Sequence, residues 1–214
     1  MSPVAGSADR GARRLLLAGI AAVLLAALLV LDGRLMALIA PFRSPGVEPI
    51  ALAITSLGWG ASALAIAVAL AAGGWAGGNP RVTALGLHGL GAVSASGLLG
   101  QAAKLLFGRV RPGGGDLAGT FQFLSLQPGN SFPSGHATTA FAFAAVLAHA
   151  YPRWRWAGYV GAFLVALSRL YLNKHFPADA LAGALLGATV GHLAGGWLDR
   201  RLEDMQARRT PEAR

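Results

Sequence analysis

Apolar residues gather into six runs along the chain: Leu15 to Leu31, Ile50 to Ala72, Val82 to Phe107, Gly135 to Ala150, Trp156 to Leu172, and Asp179 to Leu198. A bilayer crossing by a helix takes roughly 20 mostly apolar residues, so the pattern predicts an all-α, six-transmembrane helical bundle. The polar stretches between the runs are short. Residues 1–14 read as a cytoplasmic tail, 15–198 as one membrane domain, and 199–214 as a second cytoplasmic tail. The first run follows Arg10, Arg13 and Arg14, with no small-x-small site soon after Leu31, so it reads as an uncleaved anchor rather than a removed leader.

Composition supports that reading. The 214 residues are 54% hydrophobic and only 13% charged, against about 25% charged in an ordinary soluble chain. The absence of cysteine removes disulfides, thiol nucleophiles and zinc–thiolate sites together, leaving chemistry to His, Ser, carboxylates and cations. The net charge of +9 could suggest nucleic acid, but the basic residues lie between apolar runs instead of forming one soluble face. With the N-terminus inside, eleven of the 18 basic residues fall on inner segments, which obeys the positive-inside rule with both termini cytoplasmic. Nucleic acid is therefore not an expected partner, and the bilayer is.

Seven cations remain on the outer segments: Arg34, Arg43, Lys104, Arg109, Arg111, Arg169 and Lys174. Ionisable groups at membrane depth are expensive and are functional candidates by default. Lys104 and Arg111 are seven residues apart and would share a face if the helix continued, with Pro112 displacing Arg111 from helical geometry. Such a pair can converge on one anion or simply snorkel at a helix end. Phe132-Pro133-Ser134-Gly135-His136 precedes the fourth run. Ser134 can cap that helix, leaving the amides of Gly135 and His136 free for an anion, or the stretch is an ordinary cap beside an interfacial histidine. In the third cluster, Ser168-Arg169 precedes His175, and Asp179 lies one turn further on, where it can accept the Nδ1 proton of His175. That pair is a candidate for nucleophilic chemistry or a structural ion pair. In an alternating bundle, all these helix ends fall on one side.

These residues resemble the type 2 phosphatidic acid phosphatases, or lipid phosphate phosphatases, in their integral-membrane bacterial branch. The signatures K-x6-R-P, P-S-G-H and S-R-x5-H-x3-D are matched by Lys104 to Pro112, Pro133 to His136, and Ser168 to Asp179, with no departure at a signature position. The resemblance implies that His175 is a nucleophile forming a phosphohistidine, that Asp179 orients it, and that His136 protonates the departing oxygen. It implies phosphate binding by Lys104, Arg111, Ser134, Gly135 and Arg169. No metal or cofactor is expected: Asp32, Glu48 and Asp116, the other outer carboxylates, are too scattered for a two-metal centre. The substrate implied is a lipid phosphate or pyrophosphate (undecaprenyl pyrophosphate foremost, phosphatidate or phosphatidylglycerol phosphate otherwise) at the extracytoplasmic face of an inner membrane. A transporter or flippase that binds the same headgroup without cleaving it is the alternative.

Three further expectations concern the periphery. Gly183, Gly187, Gly191 and Gly195 lay a bare strip along the last helix, read as packing within the bundle before dimerisation. Asp32–Pro49 and Gly113–Phe132 read as connections too short to span, whose apolar residues, Leu35 to Ala40 in one and Phe121, Phe123, Leu124 and Leu126 in the other, either lie at headgroup level and line a lipid entrance or belong to loops packed on the bundle. Arg109 and Lys174, off the signature positions, read as rim or solvated charges, and His88, His149 and His192 as lying roughly 20–24 Å from the site.

Overall fold

In a computed structural model that describes residues 5–126 and 129–209, local signals set the helix limits. Asn79 caps the helix that starts at Pro80, its side chain accepting from the Val82 amide. That helix ends where Gly108 takes a left-handed conformation (φ 55°), and the Gly108 N–H closes on Lys104 O. Ser134 caps another. At Pro177, Asp179 Oδ2 accepts the amide of Phe176 at 2.8 Å, the reciprocal half of a capping box. The helices are α1 Ala5–Ile39, α2 Glu48–Leu57, α3 Gly60–Ala76, α4 Pro80–Phe107, α5 Gly135–Ala150, α6 Arg155–Tyr171 and α7 Pro177–Arg209.

Helix α5 is the centre of the bundle, with α3, α4, α6 and α7 around it. The glycine strip explains the closest pairing. A Cβ at Gly187 would lie 2.9 Å from Thr138 C and 3.0 Å from Ala142 N, and one at Gly191 would lie 2.7 Å from Ala145 Cβ. Backbone of α7 thus rests on backbone of α5, as the in-bundle reading of the strip requires. Helix α1 is different: Leu15, Val23 and Val30 are 77%, 70% and 82% exposed, and among its described side chains only Asp32 and Met36 near its end are buried. Apolar side chains turned outward on so long a helix have hydrocarbon as their natural solvent.

The span count is less uniform than the hydrophobic pattern suggests. Among the described residues, α1, α4 and α7 are individually long and apolar enough to cross a bilayer, and α2 with α3 forms a fourth such unit bent by 51°. Helices α5 and α6 have 16 and 17 residues, about 24–26 Å against a hydrocarbon core of about 30 Å. The second apolar run is therefore not one helix. It breaks at Gly58-Trp59-Gly60 because α5 approaches there: Thr139 Oγ1 donates to Gly58 O at 2.6 Å, and a Cβ on Gly58 would lie 3.1 Å from His136 O. The expected loop at Leu35 to Ala40 is also corrected, since α1 runs on to Ile39. Leucine, methionine and alanine are good helix formers, and nothing before Pro41 stops them.

Between α4 and α5 the chain turns back on itself. Arg109 and Phe121 form an isolated antiparallel bridge, and Phe107, Phe121, Phe123 and Phe132 pack ring on ring with centroids 5.3–6.2 Å apart. Phe121 is therefore packed on the bundle, whereas Phe123, Leu124 and Leu126 remain exposed.

Candidate active site

The C-terminal ends of α4 and α6 and the N-terminal ends of α5 and α7 meet. A cavity of about 330 Å³ lies among them, lined by Lys104, Arg111, Gly135, His136, Arg169 and His175, with Trp59, Gly60, Ser96, Gly97, Gly100 and Gln101 continuing its wall. Six of the eight residues expected at a site thus face one space. Asp179 and Ser134 do not line it. Asp179 sits behind His175, fully buried, and Ser134, also fully buried, caps α5 and donates its backbone N–H to Asp179 O at 2.9 Å.

Each cation is held by its local structure. Lys104, in the last turn of α4, donates to Asn130 O at 2.6 Å, while Asn130 Nδ2 returns a bond to Lys104 O at 2.9 Å. Because α4 stops at Gly108, Arg111 does not share a helical face with Lys104; it reaches the cavity from the loop, its Nε bound to Gly129 O at 2.5 Å. Burial lowers its pKa from the ordinary arginine value, with Asp179 opposing. Arg169 Nη1 donates to Thr55 Oγ1 at 3.0 Å, and its buried Nε has no partner. A buried guanidinium N–H left open is a donor awaiting an acceptor.

His175 is 2% exposed and follows Asn173, which takes a left-handed φ of 55°. Its Nδ1 lies 3.6 Å from Asp179 Oδ2, in ion-pair range but longer than a direct hydrogen bond. The hydroxyl of Ser131 fills the gap, 3.4 Å from Nδ1 and hydrogen-bonded to Asp179 Oδ2. Nδ1 is thereby directed away from the cavity and Nε2 is left for it. Burial pushes the His175 pKa down to about 4 against the pull of Asp179, and Lys104 and Arg111 add to the lowering. The ring is neutral at pH 7, with a lone pair available.

Two residues at the site escaped the sequence reading. Ser131 lies outside the signatures. Arg109, read as a rim or solvated charge, is 3% exposed: its Nη1 meets Asp179 Oδ1 at 2.7 Å, its Nη2 meets Asp32 Oδ2 at 2.8 Å, and the rings of Phe176 and Phe121 cover it at 4.3 and 5.1 Å. The reason is the left-handed turn at Gly108, which sends the chain inward where a continuing helix would have left Arg109 outside. The signal available was Asp32, an acid within an apolar stretch in need of a cation. Lys174 is exposed, as expected. His88, His149 and His192 are absent from the cavity wall; the last two bond to each other at 3.0 Å, with Asp199 and Tyr159 completing the chain of contacts.

An all-helical bundle with apolar side chains outward and a cationic cavity backed by a buried His–Asp pair defines a membrane protein with a polar site at its helix ends. The chain belongs to the PAP2 superfamily, whose profile matches residues 85–203. It is 38% identical over 96 residues to the lipid A 1-phosphatase of Rhizobium johnstonii, covering 44% of this chain and 39% of that protein. Against the undecaprenyl-diphosphatase of Sulfolobus acidocaldarius it is 34% identical over 105 residues, 45% of this chain and 47% of the other. The matched region is thus under half the length of these relatives. The fold is similar to that of a transmembrane PAP2-type phosphatidylglycerolphosphate phosphatase from Bacillus subtilis, with TM-score 0.69, 27% identity, and coverage of 87% of this chain and 96% of that one.

Proposed function

We propose that this protein is a membrane lipid phosphatase that hydrolyses a lipid phosphate monoester or pyrophosphate through a phosphohistidine on His175. The observation that carries this reading is a buried His175 whose Nδ1 side is occupied and whose ring shares a cavity with Lys104, Arg111, Arg169 and His136. Phosphoryl transfer asks mainly for positioning and for neutralisation of spread negative charge. In the first step, His175 Nε2 attacks phosphorus, the bond from phosphorus to the lipid oxygen breaks, and His136 supplies that oxygen's proton. The bound phosphate favours the charged, donating form of His136 by simple attraction. In the second step, water attacks the phosphohistidine, His136 takes the water's proton, and inorganic phosphate leaves. Asp179 stabilises the positive imidazole throughout.

The three cations and the free amides of α5 at Gly135 and His136 receive the phosphoryl oxygens, and the open Nε of Arg169 is one donor. Ser134 acts by capping α5 and so presenting those amides. Among the described residues no group of three or more His, Cys, Asp or Glu side chains could hold a metal ion. The six apolar runs, the charge bias and the helix ends gathered on one side support a multi-pass protein of a bacterial inner membrane, with both termini cytoplasmic and the cavity extracytoplasmic. The names of the relatives, a lipid A 1-phosphatase, an undecaprenyl-diphosphatase and a phosphatidylglycerolphosphate phosphatase, support a lipid phosphate or pyrophosphate as the substrate.

The test is phosphate release in detergent from those three lipids and phosphatidate, by the unaltered protein and by His175→Asn. Release from at least one lipid, abolished in the variant, together with an acid-labile phosphorylated protein after a quench, is the expected result. Lipid translocation undiminished in His175→Asn, with no phosphate released by either protein, would establish the carrier reading instead.

A further inference from the structure

Asp32 is an acid inside α1, a helix long and apolar enough to cross a bilayer, and it is 2% exposed. Burying a charge costs several kcal/mol and demands compensation. Its compensation is specific: Oδ2 meets Arg109 Nη2 at 2.8 Å and Oδ1 accepts the Ala178 amide at 2.9 Å. Arg109 uses its other terminal nitrogen on Asp179 Oδ1 and its Nε on Gly119 O at 3.2 Å. One guanidinium therefore bridges two carboxylates, one on α1 and one directly behind His175. Every acceptor position of Asp179 on the His175 side is then allotted: Oδ1 to Arg109, and Oδ2 to the Ser131 hydroxyl and the Phe176 amide. The carboxylate cannot rotate away from the imidazole without breaking three bonds.

The charge balance matters as much as the geometry. A lone Arg109 would neutralise Asp179 and leave His175 facing only the cations Lys104 from α4, Arg111 from the loop and Arg169 from α6, with His136 from α5 beside them. Asp32 shares the guanidinium, so the cluster Asp32–Arg109–Asp179 keeps one net negative charge at the Nδ1 side of the ring. An imidazole that becomes positive when phosphorylated needs that charge.

We infer that Asp32 and Arg109 are positioning residues for the reaction, a clamp from α1 and the α4–α5 loop that holds Asp179 against His175 and preserves the negative charge behind it. The inference rests on the phosphohistidine reading. Its opposite-sign consequences make it separable from a strut that only stiffens the fold. Asp32→Asn keeps the shape and removes one negative charge from the cluster, which moves protonation of His175 to lower pH. Arg109→Gln removes a positive charge and moves it to higher pH.

The experiment uses the full chain in detergent. Asp32→Asn, Asp32→Glu and Arg109→Gln are compared with the unaltered protein for kcat and KM on the lipid that the unaltered protein hydrolyses fastest, for thermal unfolding, and for the titration of His175 by ¹⁵N-histidine NMR. The expected result is a fall in kcat of roughly tenfold to 100-fold in Asp32→Asn with KM within about threefold, the range set by loss of a group that orients a reacting side chain. It includes partial recovery in Asp32→Glu and His175 midpoints displaced in the two predicted directions. Full kcat in Asp32→Asn, or a His175 midpoint that neither variant moves, overturns the inference; so does a loss of kcat that follows thermal stability alone. Should no lipid be hydrolysed at all, the phosphatase reading fails, and the NMR midpoints still decide whether the clamp acts on His175.

Discussion

Gly187→Ala adds one methyl group where α7 has no room for it. The new Cβ would sit 2.9 Å from Thr138 C and 3.0 Å from Ala142 N, against the 3.4 Å at which ordinary contact begins, and the Thr138 carbonyl oxygen is closer still. All three atoms are backbone, so no rotamer change relieves the clash and the helices must part by an amount on the order of 1 Å. Overpacking of this kind costs about 1–3 kcal/mol. Alanine returns about 1 kcal/mol through its better helix propensity, so the net loss of stability is only about 0–2 kcal/mol.

Activity is the sharper readout. Thr138 Oγ1 donates to Ser134 O at 2.9 Å, and the Ser134 amide donates to Asp179 O at 2.9 Å, so the seam that the methyl group opens continues into the cap of α5 and the residue behind His175. A displacement of about 1 Å between reacting groups can cost 10²-fold in rate. The expected outcome is a fall in kcat of at least about tenfold, measured by phosphate release in detergent, with an unfolding temperature lowered by a few degrees at most. Gly91→Ala, on the same protein where an added Cβ meets nothing within 4 Å, is the control and should match or exceed the unaltered protein in stability. A Gly187→Ala protein with undiminished kcat would refute the argument that the glycine seam sets the registry of the site.

Other predictions follow from single contacts. Because burial pushes the His175 pKa down to about 4 from 6.5, the unfolded chain binds a proton between those values that the folded chain refuses. Stability must therefore fall as pH drops through that window, by up to about 1.4 kcal/mol per pH unit; His175→Asn should flatten the slope of unfolding temperature against pH, and an unchanged slope would contradict the assignment. Ser131→Ala removes the hydroxyl between His175 and Asp179 and leaves buried lone pairs unmet, at about 1–3 kcal/mol in unfolding measurements, with a lower kcat. Arg169→Lys keeps the charge but loses the open Nε donor, and should lower kcat/KM by about 10²-fold or more, a loss that added salt does not restore. Activity should persist in excess chelator; abolition by EDTA with recovery in magnesium would assign the neutralising role to a metal.

The hydrophobic pattern and three short spacings carried the helical membrane class, the family resemblance and the residues around the cavity, because each rests on a local rule. Apolar runs report burial in hydrocarbon, and parity along a hairpin-connected bundle brings alternate helix ends together. What escaped depends on contacts between distant segments. The break at Gly58 exists because His136 and Thr139 press on that backbone, and neither is near it in sequence. Asp32 looked like one scattered carboxylate, yet 77 residues separate it from the arginine whose charge it meets. Arg109 looked like a rim or solvated charge because it stands off the signature positions, and a helix continued from Lys104 would have carried it outward. The left-handed Gly108 reverses that, and the two errors are one: without the turn Asp32 has no partner, and without Asp32 the inward arginine would silence Asp179. An acid buried in an apolar helix was the visible sign that a cation had to come to it, and the cation that does is Arg109, from within the stretch Lys104 to Pro112.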